Sequence, residues 1–147
     1  MGTAFGTYAK AVPCKDSKNK IAELVNLLNI NNSVSPHSLH TTVTYSRKVV
    51  PELESSVLPE PIIATPIGFA IFKSNMYNCL VILLESLGLN SLHQQAMALG
   101  ATYDYDQYHP HITVSYDFQG EVPDDEILDV IGNLNFIEVI VEDLIDG

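Results

Sequence analysis

The chain has 147 residues, 46% of them hydrophobic; this is one domain's length with apolar material for a real core, and it excludes a disordered tail or a stapled miniprotein. Two cysteines, Cys14 and Cys79, cannot build a disulfide framework, and neither sits in a CxxC or zinc-finger spacing, so a reduced, cytosolic chain is expected. A net charge of −11, from 7 Lys+Arg against 18 Asp+Glu, argues against wrapping long nucleic acid, whose affinity comes mostly from basic side chains displacing counterions.

That charge is unevenly spread. Every basic residue lies in residues 1–73, whereas residues 74–147 carry thirteen acids and no base. An acidic surface of this kind aids solubility. Any anionic ligand must find its cations in the first half, at Lys10, Arg47, Lys48 or Lys73. Met1 to Val12 lacks the pattern of a signal peptide, and nothing approaches the roughly 18 apolar residues of a membrane span. The expectation is a protein without a membrane partner that stays in the cytoplasm.

In chain order, Thr3 to Val12 is aromatic and small and stops at Pro13, as a strand does. A helix follows, capped by Asp16 or Ser17, with Ile21, Leu24, Val25 and Leu28 on one apolar stripe. After a polar loop, Asn29 to Pro36, the threonine-rich run Leu39 to Arg47 predicts a strand. Val50 to Pro61, with three prolines, predicts an exposed loop inside the domain. Ile62 to Phe72 and Tyr77 to Leu84 predict a hairpin turning at Lys73-Ser74-Asn75. Ser86 to Leu99 has helical spacing through Leu89, Leu92, Ala96 and Leu99 and ends at Gly100. A tyrosine-rich loop, Ala101 to His109, leads to a strand, Pro110 to Phe118, then a short helix, Asp124 to Ile131, and a last strand, Phe136 to Val141. Strands outnumber helices and most connections are too short for crossovers, so the fold class is α+β with mainly antiparallel sheet.

The chemistry sits in a repeated pattern. His40-Thr41-Thr42-Val43 and His111-Ile112-Thr113-Val114 share the form H-x-T-apolar, 71 residues apart, each in a predicted strand. Strict alternation puts His40, Thr42, Thr44 and Ser46 on one face, with Leu39, Val43 and Tyr45 on the other. It likewise puts His111, Thr113, Ser115 and Asp117 opposite Ile112, Val114, Tyr116 and Phe118. Two imidazoles across a cleft are a general acid and a general base, since histidine titrates near neutrality. Hydroxyls two residues along can donate to the nonbridging oxygens of a phosphate as charge builds. Such a set breaks a phosphodiester without a metal or other cofactor.

HTTV and HITV resemble the paired HxTx signatures of the two-histidine (2H) phosphoesterase superfamily. The resemblance implies a bilobal fold, antiparallel sheets around a central cleft with helices packed outside, here one phosphoesterase domain of two pseudo-symmetric lobes over residues 1–147. It assigns catalysis to His40, Thr42, His111 and Thr113. The segments FGTYAK, LHTTVTYSRK and YHPHITVSYD, with the small size, are similar to the anti-CBASS phosphodiesterases of phages. These degrade the cyclic oligonucleotide messengers of bacterial defence, which implies a cyclic di- or trinucleotide substrate and action in the host cytoplasm. Two alternatives stay open: a 2H enzyme processing RNA ends, and a protein that sequesters a nucleotide without cleaving it.

With no Trp in the chain, stacking on a nucleobase falls to Tyr or Phe. Tyr8, beside Lys10 on the first strand, suits a purine monophosphate or else packs in the core. Phe72 and Tyr77 flank the hairpin and carry the same two readings. Tyr105, with Tyr103 and Tyr108, is placed to close over a ligand or stands simply exposed. Glu138, the only charge in FIEVIV, lines the cleft or faces solvent. His109 and His111 form an HxH pair but lack a third zinc ligand at suitable spacing, so no metal is expected. His37 and His93, without partners in sequence, are expected on the surface.

Overall fold

In the computed structural model, which describes residues 2–74 and 76–145, the β-branched and aromatic runs form six strands. They are β1 (Ala4–Pro13), β2 (Thr41–Ser46), β3 (Ser56–Lys73), β4 (Asn78–Glu85), β5 (His111–Ser115) and β6 (Leu134–Ile145). They hydrogen-bond in the closed order β1-β2-β5-β4-β3-β6, with every pairing antiparallel. Helix α1 (Lys15–Leu27) lies against β1, and α2 (Leu87–Ala98) against β2 and β3. The class is α+β, as the element order implied. Phe136, Ile21, Leu80, Ile82, Leu89 and Ile112 are among the fully buried side chains that fill the core.

Several boundaries differ from the sequence reading for local reasons. Helix α1 is capped by Cys14, whose Sγ accepts from the Ser17 N–H at 3.5 Å. Ser17 is instead fully buried and its hydroxyl accepts from the Asn135 N–H at 2.9 Å. Ser86 caps α2 by accepting from the Leu89 N–H at 3.1 Å. The helix ends at Gly100, whose φ of +102° suits a residue without a Cβ. Leu99, expected on the apolar stripe, is already the C-cap and is exposed. Residues 125–130 form a 3₁₀ helix.

The loop expected over Val50 to Pro61 is shorter, because β3 begins at Ser56 and pairs with β6 through Ser56↔Val139 and Val57↔Glu138. Pairing then slips until Ile62↔Phe136. Pro59 and Pro61 fall in that slip, where a residue without an N–H costs no ladder bond. Strands β3 and β4 form the expected hairpin, from Thr65↔Glu85 to Lys73↔Asn78; Asn75 of its expected turn lies outside the described residues.

Both motif strands contain a β-bulge at the same motif position. Between β1 and β2 the register jumps from Ala9↔Thr44 to Lys10↔Thr42, leaving Val43 extra. Between β4 and β5 it jumps from Leu80↔Ser115 to Val81↔Thr113, leaving Val114 extra. An extra residue sends two successive side chains inward and reverses the alternation beyond it. Val43 and Thr44 are both buried, as are Val114 and Ser115. Thr44, Ser46 and Ser115 therefore leave the polar face assigned to them by alternation, and Tyr45 and Tyr116 replace them there, exposed.

Candidate active site

Strands β2 and β5 pair only at Thr41↔Ile112, so the two motifs meet at one point and diverge. His40 immediately precedes β2 and His111 opens β5, one on either side of that contact. Each imidazole is anchored the same way. The Nδ1–H of His40 donates to the Ser38 carbonyl at 2.6 Å, and that of His111 to the His109 carbonyl at 2.9 Å. This fixes the tautomer and leaves Nε2 of each ring free to exchange a proton. Each ring also meets an aromatic edge: Tyr8 against His40 at 6.3 Å and 87°, Phe72 against His111 at 4.7 Å and 70°. Burial holds the pKa of His111 below the usual histidine value, and the charge of nearby His40 lowers it further.

The threonines two residues along are half-buried on the same face. Tyr8 and Thr42 share a hydroxyl–hydroxyl bond of 3.1 Å. Burial raises the pKa of the Tyr8 phenol, so it keeps its proton and can donate to Thr42. The Thr42 proton is then free to point at a ligand. Thr113 forms no side-chain hydrogen bond with another described residue.

A cavity of about 780 Å³ opens beside His111, and Thr42, Phe72, Lys73 and Tyr105 help to line it. Tyr105 is 73% exposed at its rim. Tyr8 and Lys10 project from the same face of β1, and Glu138 shares that face one strand over, opposite Val12. Of the residues expected at the site, His40, Thr113, Tyr8, Lys10, Glu138 and Tyr77 do not border the cavity, and Tyr77 is exposed on the way into β4. Of the cations, Lys10 is paired with Glu142 at 3.3 Å. Arg47 makes two 2.9 Å bonds to Asp104 and holds that carboxyl below the usual carboxylate range. Lys73 is exposed at the cavity wall. Among the described residues no three His, Cys, Asp or Glu side chains are placed to hold a metal ion, and no helix is long and apolar enough to cross a membrane.

His93 is not the surface residue expected. It is half-buried, stacks on Tyr108 at 4.2 Å and 3°, and donates from Nδ1 to the carbonyl of Val43 at 2.8 Å. Tyr108 itself donates to the Thr42 carbonyl at 2.7 Å, so the tyrosine loop is packed at one end. Together they hold the backbone of the first motif's bulge. In the second motif the matching carbonyl, Val114, accepts from the Val34 N–H at 2.9 Å. Sequence carried a signal for His93: it stands four residues after Leu89 and three before Ala96, on the buried stripe of α2.

The barrel and its paired motifs define a two-histidine phosphoesterase fold, and solved structures share it. The chain superposes on TT0787 of Thermus thermophilus with a TM-score of 0.55 at 16% identity, covering 92% of this chain and 83% of that one. It also matches Escherichia coli LigT with a TM-score of 0.50 at 14% identity, covering 94% and 86%. Residues 5–146 match the family described as Anti-CBASS protein Acb1, and the chain belongs to that family. The Anti-CBASS protein Acb1 of Enterobacteria phage T4 is 36% identical over 129 residues, 84% of each chain. That of Escherichia phage RB16 is 39% identical over 112 residues, 76% of this chain and 64% of the relative, just under two thirds of its length.

Proposed function

We propose that this chain is a metal-independent phosphodiesterase that cleaves 3′-5′ bonds of small cyclic oligonucleotide signals and so serves a phage against CBASS defence. The observation that carries the reading is the matched anchoring of His40 and His111, which leaves Nε2 of each ring without a hydrogen-bond partner among the described residues. Membership of the anti-CBASS family supports the substrate class, and the phosphoesterase fold supports the reaction class.

His111, whose depressed pKa favours the neutral ring, takes the proton from a ribose 2′-OH. The alkoxide attacks the adjacent phosphorus while His40 protonates the departing 5′ oxygen. The product end is a 2′,3′-cyclic phosphate, which water opens with the two histidines in exchanged roles. Thr42 and Thr113 donate to the nonbridging oxygens, where charge grows in the transition state. Tyr8 steadies Thr42, and Phe72 and Tyr105 offer faces to a base beside His111. Lys10, beside Tyr8 on β1, Glu138 and Tyr77 are the remaining proposed ligand contacts.

Substrate size follows from charge. The acids of residues 74–147, of which Glu142 and Asp104 are ion-paired, repel a polyanion, whereas Lys73, and Lys10 on exchanging Glu142 for a phosphate, can meet the few phosphates of a small ligand. A cyclic dinucleotide should therefore be cleaved in preference to long single-stranded RNA, with a shallow dependence of log KM on log salt. Parallel rate measurements over a salt series check this. Preferential RNA cleavage with a steep salt slope would reassign the protein to RNA ends, and tight binding without cleavage would make it a sequestering protein.

A further inference from the structure

Strands β2 and β5 close the barrel through the single pairing Thr41↔Ile112, whereas β1 with β2 and β4 with β5 pair over several residues. A single pairing is a pivot about which two strands can swing. Here side-chain bonds offset from the pivot stop the swing. Thr41 Oγ1 accepts from the His111 N–H at 3.2 Å. In return Tyr108, on the segment leading into β5, donates its hydroxyl proton to the Thr42 carbonyl at 2.7 Å. Each motif thus grips the other at or beside one of its own histidines and threonines.

Core packing does not ask for the Thr41 hydroxyl. Thr41 is 1% exposed, and the equivalent residue of the second motif, Ile112, is fully buried and apolar. A buried hydroxyl costs stability unless it is bonded, and the bond it makes is to the backbone of a catalytic histidine. The Tyr108 ring is held in turn by the His93 stack, and His93 donates from Nδ1 to the Val43 carbonyl at 2.8 Å. Burial raises the pKa of the Tyr108 phenol, so it keeps the proton it donates. The Val43 bulge extends the same seam. By turning Thr44 and Ser46 inward it lets the Thr44 hydroxyl donate to the Thr102 carbonyl at 2.6 Å, and the Ser46 hydroxyl accept from the Thr102 N–H at 3.0 Å.

We infer that Thr41 and Tyr108 are positioning residues that fix the separation and relative angle of His40 and His111, Thr41 through the His111 N–H and Tyr108 through the Thr42 carbonyl. The inference rests on the phosphodiesterase reading and adds the device that aligns its acid with its base. Neither residue touches the substrate. Their effect is on the geometry in which a proton leaves one side of the phosphodiester and arrives on the other, where a misplacement of about 1 Å costs on the order of 10²-fold in rate.

The test is steady-state cleavage of two substrates by folded variants, with circular dichroism and Tm as the check on fold. For cyclic di-AMP, Thr41→Val and Tyr108→Phe should each lower kcat by about 10- to 100-fold with KM within about threefold of the parent. Thr41→Ser, which keeps the hydroxyl, should recover kcat to within about threefold. The second substrate is the para-nitrophenyl ester of a nucleoside 3′-phosphate, whose leaving group departs without a proton. There the loss in Tyr108→Phe should shrink by at least about threefold, because alignment of the acid on the first motif no longer matters. A smaller folded fraction would instead lower both substrates equally. Should Thr41→Val unfold, Thr41→Ser and Tyr108→Phe keep the test open. Parental kcat in a folded Thr41→Val or Tyr108→Phe variant would overturn the inference, as would equal losses on the two substrates or a Thr41→Ser enzyme as slow as Thr41→Val. If those results accompany normal cleavage by the unaltered protein, the positioning role fails while the phosphodiesterase reading stands. If the unaltered protein cleaves neither substrate, both fall together.

Discussion

Replacing His111 by alanine should lower kcat by about 10² to 10⁴, the usual worth of a positioned acid or base, with KM nearly unchanged. His40→Ala should lose as much, and the double variant little more than either single, since an acid without its base has no proton to relay. Steady-state kinetics on a cyclic dinucleotide decide this; cleavage at an undiminished rate by either single variant would break the mechanism. Assigning the base to His111 adds a pH signature. Below its pKa the ring carries a proton and cannot accept another. Burial disfavours that cation, so the acid limb of kcat/KM should have its midpoint below the ordinary histidine value of 6.5.

Thr113→Val should cost about 10² to 10³ in kcat, the loss seen when one donor to a developing oxyanion is removed. Valine keeps the branched shape that β5 needs, and the Thr113 hydroxyl has no partner among the described residues, so nothing is left orphaned and Tm should hold. Thr42→Val is the less clean change, because it strips Tyr8 of its 3.1 Å partner. A Thr113→Val enzyme with wild-type kcat would remove that hydroxyl from the transition state.

What sequence made legible was whatever followed a strict period. The Ile21, Leu24, Val25 stripe found α1, and the two H-x-T runs found the strands that meet at Thr41↔Ile112. What it concealed was irregular. A bulge has no composition signature at Val43 or Val114, yet it moves every later side chain to the opposite face. The placing of Tyr45 and Tyr116 on the faces opposite the histidines therefore failed, and the likeness of HTTVTY to HITVSY beyond the fourth residue was the available clue. Prolines hid the start of β3, since they mark a loop unless the strand's own register slips past them, as that of β3 against β6 does between Val57 and Ile62. His93 looked solitary because its partners, Tyr108 and the Val43 carbonyl, come from distant segments of chain.

The central claim is that two histidines open a cyclic oligonucleotide by internal attack of a ribose hydroxyl. Incubating the purified protein with cyclic di- and trinucleotides in excess EDTA, and resolving products by chromatography and mass, tests it directly. Internal attack adds no atom, so the first product should elute apart from the substrate at unchanged mass, and should gain one water only as its 2′,3′-cyclic phosphate opens. An intact substrate, a first product already one water heavier, or activity that EDTA abolishes and zinc or manganese restores would contradict the account.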